Sequence, residues 1–160
     1  MDRYIYCMRV CIGGTFDTLH KGHELLINKA FQTAGKQGSV FIGITKGELP
    51  KTKGNIKSFK VRKKTIEQYL LKKGYINRVT IKPIKDKYGP STRDNFYAIV
   101  ISPETKSTAE EINNIRRQNM KKPLKILQIP FVLANDGTPI SSSRIRKKEI
   151  DENGRILKID

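Results

Sequence analysis

Gly13-Gly14-Thr15-Phe16-Asp17-Thr18-Leu19-His20-Lys21-Gly22-His23 joins a mostly apolar, β-favouring run over residues 4–12 to a stretch with helical spacing. The glycine pair ends the strand where helix signals begin. Glycine also lets a backbone turn sharply and come close to a ligand. The amides that open the following helix offer an anion site, with phosphate as the natural guest. His20 and His23, the only two histidines of the chain, stand three apart at that helix start. At this spacing both imidazoles can face one way and donate charge-assisted hydrogen bonds to phosphoryl oxygens. A plain capping or packing role for them is the simpler alternative, and the flanking Gly-Gly turn weighs against it. Other phosphate and metal signatures are missing: the chain has no GxxxxGK[ST], no GxGxxG and no HExxH.

Outward from this segment, the pattern alternates. A helix of about 13 residues carries Leu25, Leu26, Lys29 and Ala30 and stops at Gly35. A strand follows over 39–45, then a polar, mobile loop over 46–58 with Gly47, Pro50, Gly54 and four lysines. The spacing predicts a helix over 59–73 in which Val61, Ile66, Tyr69 and Leu70 share an inner face while Lys60, Arg62, Lys63 and Lys64 stay in water. Gly74 ends it. Further strands are predicted over 76–84, 97–102 and 124–132, a flexible loop over 85–91, and a helix over 108–119 with Ile112 and Ile115 inward. A short last helix over 141–150 opens with three serines able to cap it. Strands alternating with helices predict an α/β fold: one Rossmann-like, doubly wound, parallel five-stranded sheet with helices on both faces. One domain is expected over 1–160, with its core about 8–155. Ligands of such sheets bind beyond the carboxyl ends of the strands, where the segment 13–23 falls.

Composition sets the partners. At 160 residues one core is expected to bury roughly 70% of the unfolded chain's surface. Hydrophobic residues make up 37% and charged residues 29%, and no apolar run approaches the roughly 18 residues of a membrane span. The first eight residues are too mixed for a signal peptide, so a cytoplasmic protein without membrane contact is expected. The 32 Lys and Arg exceed the 15 Asp and Glu by 17, which attracts anions: nucleic acid, acidic lipid or phosphorylated metabolites. A surplus of surface lysine also serves solubility alone. Cys7 and Cys11 would lie roughly 13 Å apart along a strand, beyond disulfide reach, as reduced thiols on one side. No CxxC pair suggests zinc.

Gly13-Gly14-Thr15-Phe16-Asp17 with His20-Lys21-Gly22-His23 resembles the signature of the nucleotidylyltransferase superfamily, G-G-T-F-D followed by (T/H)-x-G-H. Pro139-Ile140-Ser141-Ser142-Ser143-Arg144-Ile145-Arg146 resembles its second element, I-S-S-[ST]-x-I-R. Ser102-Pro103-Glu104-Thr105, Ile112 to Arg116, and Lys148-Glu149-Ile150-Asp151 with Gly154 are similar to the archaeal and eukaryotic branch of phosphopantetheine adenylyltransferases, a likeness covering about residues 8–155.

The resemblance implies transfer of AMP from ATP to 4'-phosphopantetheine, giving dephospho-coenzyme A and pyrophosphate by in-line attack of the substrate phosphate. It implies His23 on the α-phosphate in the transition state and His20 on the other phosphates. Thr15 would hold the attacking phosphate, and the backbone of Gly14, Thr15 and Phe16 would meet the nucleotide. Lys46 stands where the family has a lysine bridging both substrates, though Lys51 and Lys53 share its loop. Ser141, Ser142, Ser143 and Arg144 would take the β- and γ-phosphates. Arg62 and Arg93 are candidates for the acceptor's phosphate. Asp17 is expected to bond amides or orient a neighbour rather than act as a base. Mg²⁺ is expected to ride on ATP and water, since no carboxylate cluster could cage it. Bacterial enzymes of this activity carry threonine where His20 stands, so their adenine and pantetheine contacts do not transfer. Adenylation of FMN or cytidylyl transfer to glycerol phosphate would share fold and phosphate site. A nucleic-acid-binding module is disfavoured because the basic residues lack interleaved aromatics, so no stable nucleic acid partner is expected.

Overall fold

A computed structural model describes residues 8–47 and 55–157. The sheet has five parallel strands: β1 (Arg9–Gly14), β2 (Ser39–Thr45), β3 (Val79–Ile84), β4 (Ala98–Ile101) and β5 (Lys125–Gln128). Their order is β3-β2-β1-β4-β5. The chain therefore winds outward from β1 in one direction and then in the other, and the carboxyl ends of β1 and β4 diverge into a crevice.

Alternation along the strands supplies two faces. Val10, Ile12, Val40, Ile42, Ala98 and Val100 point to one side, where α1 (Lys21–Ala34) adds Ile27, Ala30 and Phe31 and α2 (Phe59–Lys73) adds Ile66 and Leu70. Cys11, Phe41, Ile99 and Ile101 point to the other, covered by Ala109 and Ile112 of α3 (Lys106–Gln118). Burial pushes the Cys11 thiol up to about 12, so it is an inert core group. Cys7 lies outside the described residues.

Helices α1 and α2 occupy their predicted spans. His20 caps α1 and Gly35 ends it, while Ser58 caps α2 and Gly74 ends it in the left-handed conformation. Several expectations need correction. Residues 76–78 form a 3₁₀ turn before β3 begins at Val79, and Gly89–Thr92 is another such turn inside the predicted flexible loop. The fifth strand ends at Gln128, because Pro130 cannot donate to a ladder. The last helix, α4, is only Ser142–Arg146. Along α2, Val61 is 48% exposed and Arg62 is buried, the reverse of their predicted placement. On α3, Asn113 and Arg116 are the buried polar groups. The Asn113 amide donates to Leu124 O and accepts from Leu124 N, which ties the helix to the start of β5. Among the described residues, no helix is long and apolar enough to cross a membrane.

Candidate functional site

The loop after β1 is shaped by close packing. Phe16 has φ 50, a left-handed conformation uncommon for a residue with a Cβ, and its ring is buried. A Cβ on Gly14 would meet that ring at 3.2 Å, so glycine lets the loop fold back over its own aromatic. The Phe16 ring lies 5.1 Å from that of His23, which in turn stacks on His20 at 3.7 Å between centroids.

The two histidines cap α1 reciprocally. His20 Nδ1 accepts from the Gly22 and His23 amides at 3.0 and 3.4 Å, and His23 Nδ1 accepts from the His20 amide at 3.3 Å. This is a capping box built from imidazoles. Because each Nδ1 is an acceptor, the proton of each neutral ring sits on Nε2. Burial lowers the His20 pKa to about 4, outweighing the opposing pull of Glu24, so at neutral pH His20 is an uncharged Nε2–H donor rather than a charge-assisted one. The helix amides are also spoken for, since Lys21 N donates to Glu152 O and Glu24 N to His20 O. The anion site expected at the backbone of α1 is thus occupied by the protein's own groups. The imidazoles themselves line the larger cavity described below.

Asp17, 4% exposed, fastens three segments together. Its Oδ1 accepts from the Lys57 amide and its Oδ2 from Arg146 Nη1, both at 2.8 Å. These bonds join the loop after β1 to the approach to α2 and to α4, the orienting role the sequence suggests. Arg62 supports the same junction from below, donating from Nε to Lys57 O and from Nη1 to Thr15 O, each at 2.8 Å.

Two cavities meet where β1 and β4 end. The larger, of about 570 Å³, is walled by His20, His23, Ser141, Ser142, Ser143 and Arg146, with Phe131 and Glu104 at other points of its lining. The smaller, of about 270 Å³, has an apolar floor of Ile12, Phe41, Ile84, Ile99, Ile101 and Ile112, with Lys87 and Tyr88 also lining it. Gly13, Gly14, Thr15, Ser102 and Thr105 line both, so the loop after β1 forms part of their common wall. Lys87 and the Tyr88 hydroxyl are each 2.7 Å from Glu111 Oε2, which fastens the 85–92 segment to α3.

Residues 11–148 match the cytidylyltransferase-like family. The chain belongs to that family. Among its relatives, a phosphopantetheine adenylyltransferase of Methanosarcina mazei is 42% identical over 151 residues, spanning 94% of this chain and 97% of the relative. Another of the same name, from Methanothermobacter thermautotrophicus, is 44% identical over 151 residues, spanning 93% and 89%. The crystal structure of an Archaeoglobus fulgidus protein of unknown function superimposes with a TM-score of 0.70 at 31% identity, covering 76% of this chain and 89% of that one.

Within this cytidylyltransferase-like fold, the sequence-derived residues divide. Gly14, Thr15, Phe16, His20, His23 and the three serines meet at the larger cavity. Ser141 Oγ caps Arg144 N, and Ser142 Oγ donates to Thr18 O. Arg144 turns away. Its guanidinium pairs with Asp136 and Glu149 and donates to the carbonyls of Thr138 and Pro139, so it braces the C-terminal turns and is absent from the cavity wall. Arg146, two residues on and outside the set expected from the sequence, lines the larger cavity instead. The signal was present: in I-S-S-[ST]-x-I-R, Arg144 occupies the variable position and Arg146 the fixed one. Arg62 is a buried brace rather than a solvated cation. Lys46 is exposed, with its ammonium 5.3 Å from the Phe59 ring centroid, and Arg93 is exposed beside Gly89 O at 3.3 Å; neither lines either cavity. Lys51 and Lys53 lie outside the described residues.

Proposed function

We propose that the protein is a pantetheine-phosphate adenylyltransferase, acting in the cytoplasm to join 4'-phosphopantetheine to AMP in the making of coenzyme A. The observation that carries this reading is the pair of adjoining cavities, one walled by two imidazoles, three serines and Arg146 and one largely apolar, sharing Gly14 and Thr15. The names of relatives matching more than nine-tenths of the chain support it.

In this reading ATP occupies the larger cavity as its Mg²⁺ complex, the ion entering with the triphosphate. The Nε2–H groups of His20 and His23, the serine hydroxyls and Arg146 hold the phosphates. The acceptor's apolar arm, with its paired methyl groups and terminal thiol, fits the smaller cavity and leaves its phosphate at Thr15. A phosphate oxygen of the acceptor attacks the α-phosphorus in line, a new P–O–P bond forms, and the bond to the β-phosphate breaks, so the electron pair departs with pyrophosphate. The nucleophile is already an anion, so no base is needed. The protein's task is to position two polyanions and to neutralise charge as it builds. His23 serves at the α-phosphate, and Asp17 keeps Arg146 aimed while charge develops.

The test offers purified protein MgATP with 4'-phosphopantetheine, FMN or glycerol phosphate and follows pyrophosphate release. Release with phosphopantetheine alone supports the reading. Release only with FMN or glycerol phosphate refutes the acceptor, and steep salt-dependent binding to duplex DNA without any turnover refutes the enzyme.

A further inference from the structure

Thr15 carries one of the hydroxyls at the junction of the two cavities, beside Ser102 and Thr105, and a further hydroxyl lies behind it. Thr45 is the last residue of β2, and β1 and β2 run in register up to the pair Gly14–Ile44. One step further along both strands sit Thr15 and Thr45, whose Oγ1 atoms are hydrogen-bonded to each other at 3.3 Å. Thr45 is only 7% exposed and lines the smaller cavity, whereas Thr15 lines both.

A threonine hydroxyl has one proton to give and two lone pairs to receive with. Paired hydroxyls can point either way. If Thr15 gave its proton to Thr45, it would turn lone pairs toward an arriving phosphate, which has only acceptors to offer. If Thr45 gives its proton to Thr15, the Thr15 proton is released toward the phosphate, and a hydroxyl that accepts one hydrogen bond becomes a stronger donor of the next. The backbone of Thr15 cannot swing to compensate, because Arg62 holds its carbonyl.

We propose that Thr45 is a positioning residue that sets the polarity of the Thr15 hydroxyl, so that Thr15 donates to the phosphate of the acceptor. The proposal rests on the reading that Thr15 receives that phosphate. It is distinct from contact with substrate, since Thr45 acts through Thr15.

Thr45→Val removes the hydroxyl and keeps the branched shape at the strand end. The KM for 4'-phosphopantetheine should rise about 5- to 10-fold, the scale of one weakened hydrogen bond, while the KM for ATP and kcat stay within about twofold. Thr45→Ser, which retains the hydroxyl, should return the acceptor KM to near the wild-type value. In a Thr15→Val background, Thr45→Val should add less than about twofold, because its route is already cut. An unchanged acceptor KM in Thr45→Val, an equal rise in the KM for ATP, full additivity with Thr15→Val, or failure of Thr45→Ser to restore binding would each overturn the proposal. Should Thr45→Val fail to fold, the comparison of Thr45→Ser with Thr45→Ala decides by the same criteria. If the wild-type enzyme turned over only a different phosphate acceptor, the functional reading would fall while the KM comparison, made with that acceptor, still decided the role of Thr45. Absence of turnover with every acceptor overturns both.

Discussion

Acid should loosen this protein through His20, and a single substitution should show it. His20 is 8% exposed, and burial carries its pKa from 6.5 down to about 4. A depressed imidazole pKa means that the unfolded chain takes up the proton first. Stability from this group is therefore complete above the unfolded value near 6.5 and is lost as pH falls toward about 4. At 1.36 kcal/mol per pH unit of displacement, the full effect is about 3 kcal/mol, of which about 2 kcal/mol is lost between pH 7 and pH 5. His20→Asn isolates it, because asparagine is a good N-cap that can still accept from the Gly22 and His23 amides but does not titrate. Urea unfolding at the two pH values should show the wild-type protein losing about 2 kcal/mol more than His20→Asn, since the remaining groups cancel in the difference. In thermal unfolding this corresponds to about 4–8 °C for a chain of this length. Equal acid sensitivity in both proteins, or an NMR titration placing the His20 imidazole near its ordinary pKa, would refute the buried neutral capping arrangement.

Three further outcomes follow from the site. His23→Ala should cut turnover by about 10²- to 10³-fold, as loss of one preorganised donor does. It should cost only about 1 kcal/mol of stability for the lost half of the capping box, measured by steady-state kinetics beside urea unfolding; near-normal turnover would mean that its role is misassigned. Arg144→Met and Arg146→Met should behave oppositely: the first should lower the melting temperature while leaving the KM for ATP within about threefold, and the second should raise that KM tenfold or more, a loss of about 1.4 kcal/mol. Arg62→Met keeps the buried stem but removes charged donors from Lys57 O and Thr15 O, so it should cost about 3 kcal/mol in urea unfolding; a loss below about 1 kcal/mol would show that these bonds contribute little.

The strands were readable because burial on both faces leaves runs such as Ala98–Ile101 almost wholly apolar, and the long helices because Gly35 and Gly74 mark their ends. The residues that line the larger cavity were readable because they cluster in two short segments, 13–23 after β1 and 139–146 near the C-terminus. Arg62 was not, because helical spacing alone cannot separate it from Val61; what draws it inward is a pair of carbonyls, one of them 47 positions away. The blocked amides of α1 were equally hidden, since Glu152 reaches Lys21 across nearly the whole chain. Arg144 and Arg146, two apart on a short helix, diverge because Asp136 and Glu149 collect the first and Asp17 the second. Pro130, by contrast, was a visible stop for β5 that the apolar run around it obscured.

The most direct measurement is a crystal structure with the non-hydrolysable α,β-methylene analogue of ATP and magnesium. The triphosphate should lie in the larger cavity, with the Nε2 atoms of His20 and His23 and the guanidinium of Arg146 within hydrogen-bond distance of its oxygens and Arg144 still bound to Asp136. A triphosphate bound elsewhere, with both imidazoles facing only protein, would contradict the account.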